Sequence, residues 1–158
     1  MKHAHVLVLA LAVAVYCVPA FAQHGHITHS RINNGSSSSS THQRTMDQQL
    51  SKNTRLSSKI QTLTGIDAPK ACDGFKNLGQ CVAAAHVSKN LGISFDCLKS
   101  DMTGTAPAKG SSCPAGTGTK SMSLGKALQS LSPKANSKKE TKKGTQQADQ
   151  DLRDSSNS

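Results

Sequence analysis

Cys72, Cys81, Cys97 and Cys113 constrain this chain more than any other feature, because the sequence around them offers so little else to build a core from. Beyond residue 22 there is no Trp and no Tyr, and Phe75 and Phe95 are the only phenylalanines. The stretch with enough apolar side chains to fold, residues 44–133, holds a core of about 65 residues, a size at which cross-links add needed stability. An even number of cysteines suits structural disulfides where the compartment is oxidising. The spacings of 9, 16 and 16 residues contain no C-x-x-C of a redox or zinc site. Three pairings are open. The pattern favours Cys81–Cys97, which a tight corner at residues 91–94 would bring together, with Cys72–Cys113 closed by a mobile loop.

The compartment follows from the first 22 residues. Lys2 supplies a positive start, Val6 to Cys17 is an apolar run, and Ala20-Phe21-Ala22 presents small side chains where a signal peptidase reads them. The run is shorter than the roughly 20 apolar residues a membrane span requires. Cys17 follows the bulky Tyr16, which does not suit a lipidation site. Cleavage between Ala22 and Gln23 is expected, with the product exported to the periplasm or the medium and no membrane span after it.

Five further pieces follow. Residues 23–43 are rich in Ser and His, include the run Ser36–Ser40, and are expected to form a disordered arm. In residues 45–64, Met46, Leu50, Leu56, Ile60 and Leu63 fall within about 140° of a helical wheel, predicting one amphipathic helix ended by Gly65. In the centre, Phe75, Leu78, Cys81, Val82 and Ala85 share a helical face, with Asn77 or Asp73 as the cap. Leu91-Gly92-Ile93 makes a tight exit, and Ser94 caps a helix that Gly104 stops. Residues 103–120 read as a Gly/Pro/Ser/Thr loop, and Ser123 opens a short helix that Pro133 terminates. Residues 134–158 alternate clusters of lysine and acid with one Leu and are expected to be a solvated, disordered tail. The fold expected is all-α: a small bundle of three or four short helices between disordered arms, its core centred on Phe75, Val82, Phe95, Leu98 and Leu128.

The stretch from Gly74 to Asp96, GFKNLGQCVAAAHVSKNLGISFD, continuing as Cys97-Leu-Lys and later as Ser123-Leu-Gly-Lys-Ala-Leu-Gln, resembles a group of small exported bacterial proteins. The likeness covers residues 50–145. It implies a bacterial source and an exported location. No activity is established for that group, so it carries over no functional residues.

The chemistry-bearing residues support few specific activities. Neither a phosphate loop, nor a G-x-S-x-G elbow, nor H-E-x-x-H, nor a calcium loop occurs, and no motif calls for a cofactor. His24, His26 and His29 could bind Cu(II), Ni(II) or Zn(II) weakly, which makes a periplasmic metal-binding protein the second reading. His86 lies five residues after Cys81, about 140° away on a helical wheel, so the two do not form a nucleophile–base pair. Residues 85–99 have the outline of a helix-turn-helix, but Asp96 and Asp101 oppose Lys99 alone on the would-be recognition helix. The formal charge of +10 becomes +9 without Lys2, spread as +4 over 23–66, +3 over 67–133 and +2 over 134–158. An even spread suits an anionic envelope surface, or another exported protein, better than nucleic acid. The reading is an exported, non-enzymatic helical protein of the bacterial envelope with a binding or structural role.

Overall fold

Asn53 divides the first helical stretch in two. Its side-chain oxygen accepts the Leu56 N–H at 3.0 Å, and its amide nitrogen donates to the Ser155 carbonyl at 3.0 Å. Asparagine is among the best N-caps, so the helix restarts there. The single helix expected over 45–64 is therefore two, α1 (Ser38–Lys52) and α2 (Thr54–Thr64). The computed structural model describes residues 38–157, with side chains from Thr45 onward. The leader, the expected cleavage point and the arm as far as residue 37 lie outside the described residues. Residues 38–43, assigned above to the arm, are the first turns of α1.

Five more helices follow: α3 (Ala68–Cys72), α4 (Leu78–Leu91), α5 (Phe95–Thr103), α6 (Leu124–Leu131) and α7 (Ser137–Ser156). The protein is all-helical among the described residues, with seven helices rather than three or four. The local signals account for most boundaries. Asn77 accepts the Gln80 N–H at 2.9 Å and so starts α4. Gly92, at a φ of 64°, ends α4 in the left-handed conformation that glycine adopts without penalty. Ser94 caps α5, and Ser88 Oγ donates to the Ile93 carbonyl at 2.7 Å, which fixes the corner between them.

Helix α4 is the axis of the fold. Its residues from Cys81 to Ser88 are all buried, because α2, α3, α5 and α7 pack around it. A helix apolar all round, here AAA between Val82 and His86, is an interior helix. Phe75, Val82, Phe95, Leu98 and Leu128 all lie in the one buried cluster around it. Phe75 stands before the helix rather than on it, and its ring packs on Phe95 with centroids 6.2 Å apart.

The expected solvated tail is instead α7, twenty residues long and docked along α4. Asn136 opens it by accepting the Lys139 N–H at 3.0 Å. Composition pointed to solvent because only one residue there is a large hydrophobe. The docking face is built from small residues: Gly144 and Ala148 are buried, with half-buried Leu152 packed on the core one turn further on. Close backbone approach and two polar bridges, His86–Asp151 and Asn90–Gln147, take the place of bulky side chains.

Both disulfides differ from the pairing expected. Cys72 joins Cys81, and Cys97 joins Cys113, with Cα separations of 5.2 and 5.4 Å. The chain reversal between α3 and α4 brings Cys72 to Cys81 instead. Cys97 faces the long loop, where Asp101 Oδ1 also accepts the Gly118 N–H at 2.9 Å and the Asp101 carbonyl accepts the Met122 N–H. The irregular segment 105–121 and its exit at Met122 are thereby tied to α5 at Cys113, Gly118 and Met122.

Candidate binding cleft

Segment 121–124 leaves the loop and crosses between the start of α4 and the first turns of α7. It is held in place by Ser121 Oγ, which donates to the Met102 carbonyl at 2.8 Å, and by the Met122 N–H. The three elements do not close completely. They leave a cleft of 510 Å³, within the size range of small-molecule sites. Ala83, Met102, Met122 and Leu124 give it apolar walls, and methionine adapts to irregular ligand shapes. Lys76 and Gln80 line it from the α4 entrance, and Thr141, Thr145 and Asp149 from α7.

Several of these polar groups have no internal partner. Thr141 Oγ1 is buried without a hydrogen bond. Ser123 occupies the N-cap of α6 but makes no side-chain capping bond. Among the described residues, no ion pair joins Lys76 and Asp149. The cleft thus offers one ammonium, one carboxylate and hydroxyls beside an apolar wall. Such a lining holds and orients a small molecule that has a polar end and an apolar body.

Comparison with protein families, curated proteins and solved structures finds no match. The cleft's chemistry therefore rests on its residues alone.

The residues singled out in the sequence lie elsewhere. The four cysteines are spent on the two disulfides. His24, His26 and His29 lie outside the described residues. His86 is 6% exposed, and its Nε2 lies 2.7 Å from Asp151 Oδ2. Asp151 Oδ1 is 3.9 Å from Lys59 Nζ, so one carboxylate connects α4, α7 and α2. His86 sits in the interior, covered by the helix that composition did not reveal. In the would-be recognition helix α5, Phe95, Cys97, Leu98, Ser100, Asp101 and Met102 are buried. The face this leaves to solvent carries Asp96, Lys99 and Thr103, a set with no net charge to attract phosphates. The cleft was not legible beforehand because its walls come from three separated segments, one of them α7. The available signal was the four-residue spacing of Gly144, Ala148 and Leu152, which marks a packing stripe.

Proposed function

We propose that this chain is an exported, non-enzymatic binding protein of the bacterial envelope, and that its ligand occupies the cleft between α4, α7 and segment 121–124. The observation that carries the reading is the closure of all four cysteines beyond the leader into two disulfides. Such pairing persists in oxidising compartments and agrees with the leader-like residues 1–22. Among the described residues, no helix is long and apolar enough to cross a membrane. The cleft supports binding, because its single amine and single carboxylate stand beside hydroxyls and an apolar wall.

Mass spectrometry of the protein recovered from the periplasm or medium tests each part. The expected mass begins at Gln23 and lacks the four thiol hydrogens. Under native conditions it carries a small-molecule adduct. Gly79 lines the cleft, and the Gly79→Leu variant should lose that adduct. Retained residues 1–22, or free thiols, would overturn export into an oxidising compartment. An adduct unchanged in Gly79→Leu, or none in either protein, would overturn the cleft.

A further inference from the structure

The nearly even charge along the sequence conceals a sharp local imbalance at the α6–α7 corner. Residues 126–143 contain Lys126, Lys134, Lys138, Lys139, Lys142 and Lys143 against Glu140 alone, six cations to one anion and a net +5. All six lysines are exposed, and among the described residues none makes an ion pair. Of the four acids of α7, Glu140 stands among the lysines, and Asp149, Asp151 and Asp154 lie in its other half.

This order runs against the helix's own electrostatics. The N-terminus of a helix carries partial positive charge, so cations there are unfavourable and anions favourable. Lys138 and Lys139 occupy that first turn with Glu140 as its one acid, and the other three acids stand towards the opposite end, where Arg153 is the one base. The lysines also stack with their like: Lys138 with Lys142 and Lys139 with Lys143 are spaced i, i+4, where equal charges repel. Local rules broken together, with Glu140 alone to offset them, mark a surface shaped by an external partner.

Between α6 and α7 the same corner has an open trough lined by Leu124, Gly125 and the aliphatic stems of Lys126, Lys138 and Lys142, with Ser123, Gln129, Ser137 and Thr141 as its polar members. We infer that the α6–α7 corner docks on an anionic phospholipid surface, the lysine ammoniums meeting lipid phosphates and the apolar trough meeting the glycerol–acyl boundary. Clusters of four to eight basic residues on a helix are suited to anionic lipid. The trough also separates this reading from nucleic acid, since an apolar wall has no use on a sugar–phosphate backbone. Base stacking is not supplied either, because Phe75 and Phe95 are buried against each other. The inference deepens the envelope assignment above, and vesicle binding is measured separately from leader cleavage and from cleft occupancy.

The test is co-sedimentation of the oxidised chain with vesicles, with circular dichroism to verify the fold of each variant. Binding to phosphatidylglycerol–phosphatidylcholine vesicles is expected, with none to phosphatidylcholine alone, and it should weaken as salt screens the charges. The combined Lys138→Gln, Lys139→Gln, Lys142→Gln and Lys143→Gln variant should bind at least about 100-fold more weakly. Its Tm should be equal or higher, because the unfavourable dipole and repulsion terms are gone. Arginine at the same four positions should retain binding. A control removing equal charge elsewhere, at Lys52, Lys70, Lys89 and Lys109, should stay within about fivefold of the parent. Equal losses in the two glutamine variants would reduce the effect to overall charge and overturn the corner. Tighter binding to short duplex DNA than to anionic vesicles at the same salt would overturn the lipid partner.

Discussion

Gly144 of α7 sits directly against Val87 of α4: a Cβ added at Gly144 would lie 2.5 Å from Val87 Cγ2 and 3.0 Å from the Ala83 carbonyl oxygen. The two helices approach this closely only because position 144 has no side chain. Glycine within a helix ordinarily costs about 1 kcal/mol relative to alanine. Here the packing it permits outweighs that cost. Gly144→Ala should therefore destabilise the protein by about 1–3 kcal/mol through overpacking. Gly79 provides the contrast. A Cβ there would meet its neighbours at 3.5 and 3.7 Å, ordinary contact distances. Gly79→Ala should stabilise by up to about 1 kcal/mol. Urea denaturation of the two variants should give shifts of opposite sign.

The α4–α7 contact also contains the His86–Asp151 hydrogen bond at 2.7 Å. Asp151→Ala leaves a buried imidazole without its partner and should cost about 1–3 kcal/mol. His86→Ala should cost a similar amount, and the double variant less than the sum of the two. A double-mutant cycle measures the coupling. Strict additivity would mean that the pair contributes nothing jointly.

Removal of α7 should abolish cooperative folding. A chain ending at Ala135 exposes Ala83, Val87 and His86, all buried in the intact protein. Its thermal transition by circular dichroism should broaden or disappear, whereas the intact chain melts in one step.

Non-reducing peptide mapping should recover Cys72–Cys81 and Cys97–Cys113 and neither of the crossed pairs. Their sequence separations are 9 and 16 residues. In the chain-entropy account, loops of this size contribute about 2.5–3 kcal/mol each. Replacing Cys97 and Cys113 together by Ala should lower the denaturation midpoint. It should also release the 105–121 loop to faster amide exchange, since three hydrogen bonds would then hold it and its exit to α5, two to Asp101 and one from Ser121 Oγ to the Met102 carbonyl.

Lys99 provides a pH test. Burial lowers its pKa below the ordinary 10.5 despite the raising influence of Asp73 and Asp96, and its ammonium donates to the Lys70 carbonyl at 2.6 Å. A lysine whose pKa is lower folded than unfolded weakens the fold while charged in both states. The penalty is full below the folded pKa and is relieved as the pH rises through it towards 10.5. Raising the pH into that window should therefore stabilise the wild type relative to Lys99→Met. A difference in Tm that stays constant across the window would contradict the lowered pKa.

Local chemistry alone determined much of this fold. Asn77, Ser94, Gly65, Gly92, Gly104 and Pro133 set helix ends because their preferences operate within one turn of chain. The apolar spacing of Met46, Leu50, Leu56 and Ile60 likewise identified the face that is buried. The tertiary structure alone decided what required knowing a neighbour. Helix α7 has too few large hydrophobes to signal burial, and it docks because glycine and alanine let two backbones meet. Disulfide pairing depended on how the chain reverses between α3 and α4, which spacing does not encode. The cleft arises where distant segments converge, so it does not exist until α7 is in place, whereas the lysines of 126–143 are neighbours in the chain and only their shared corner with the trough needs α6 and α7 packed together.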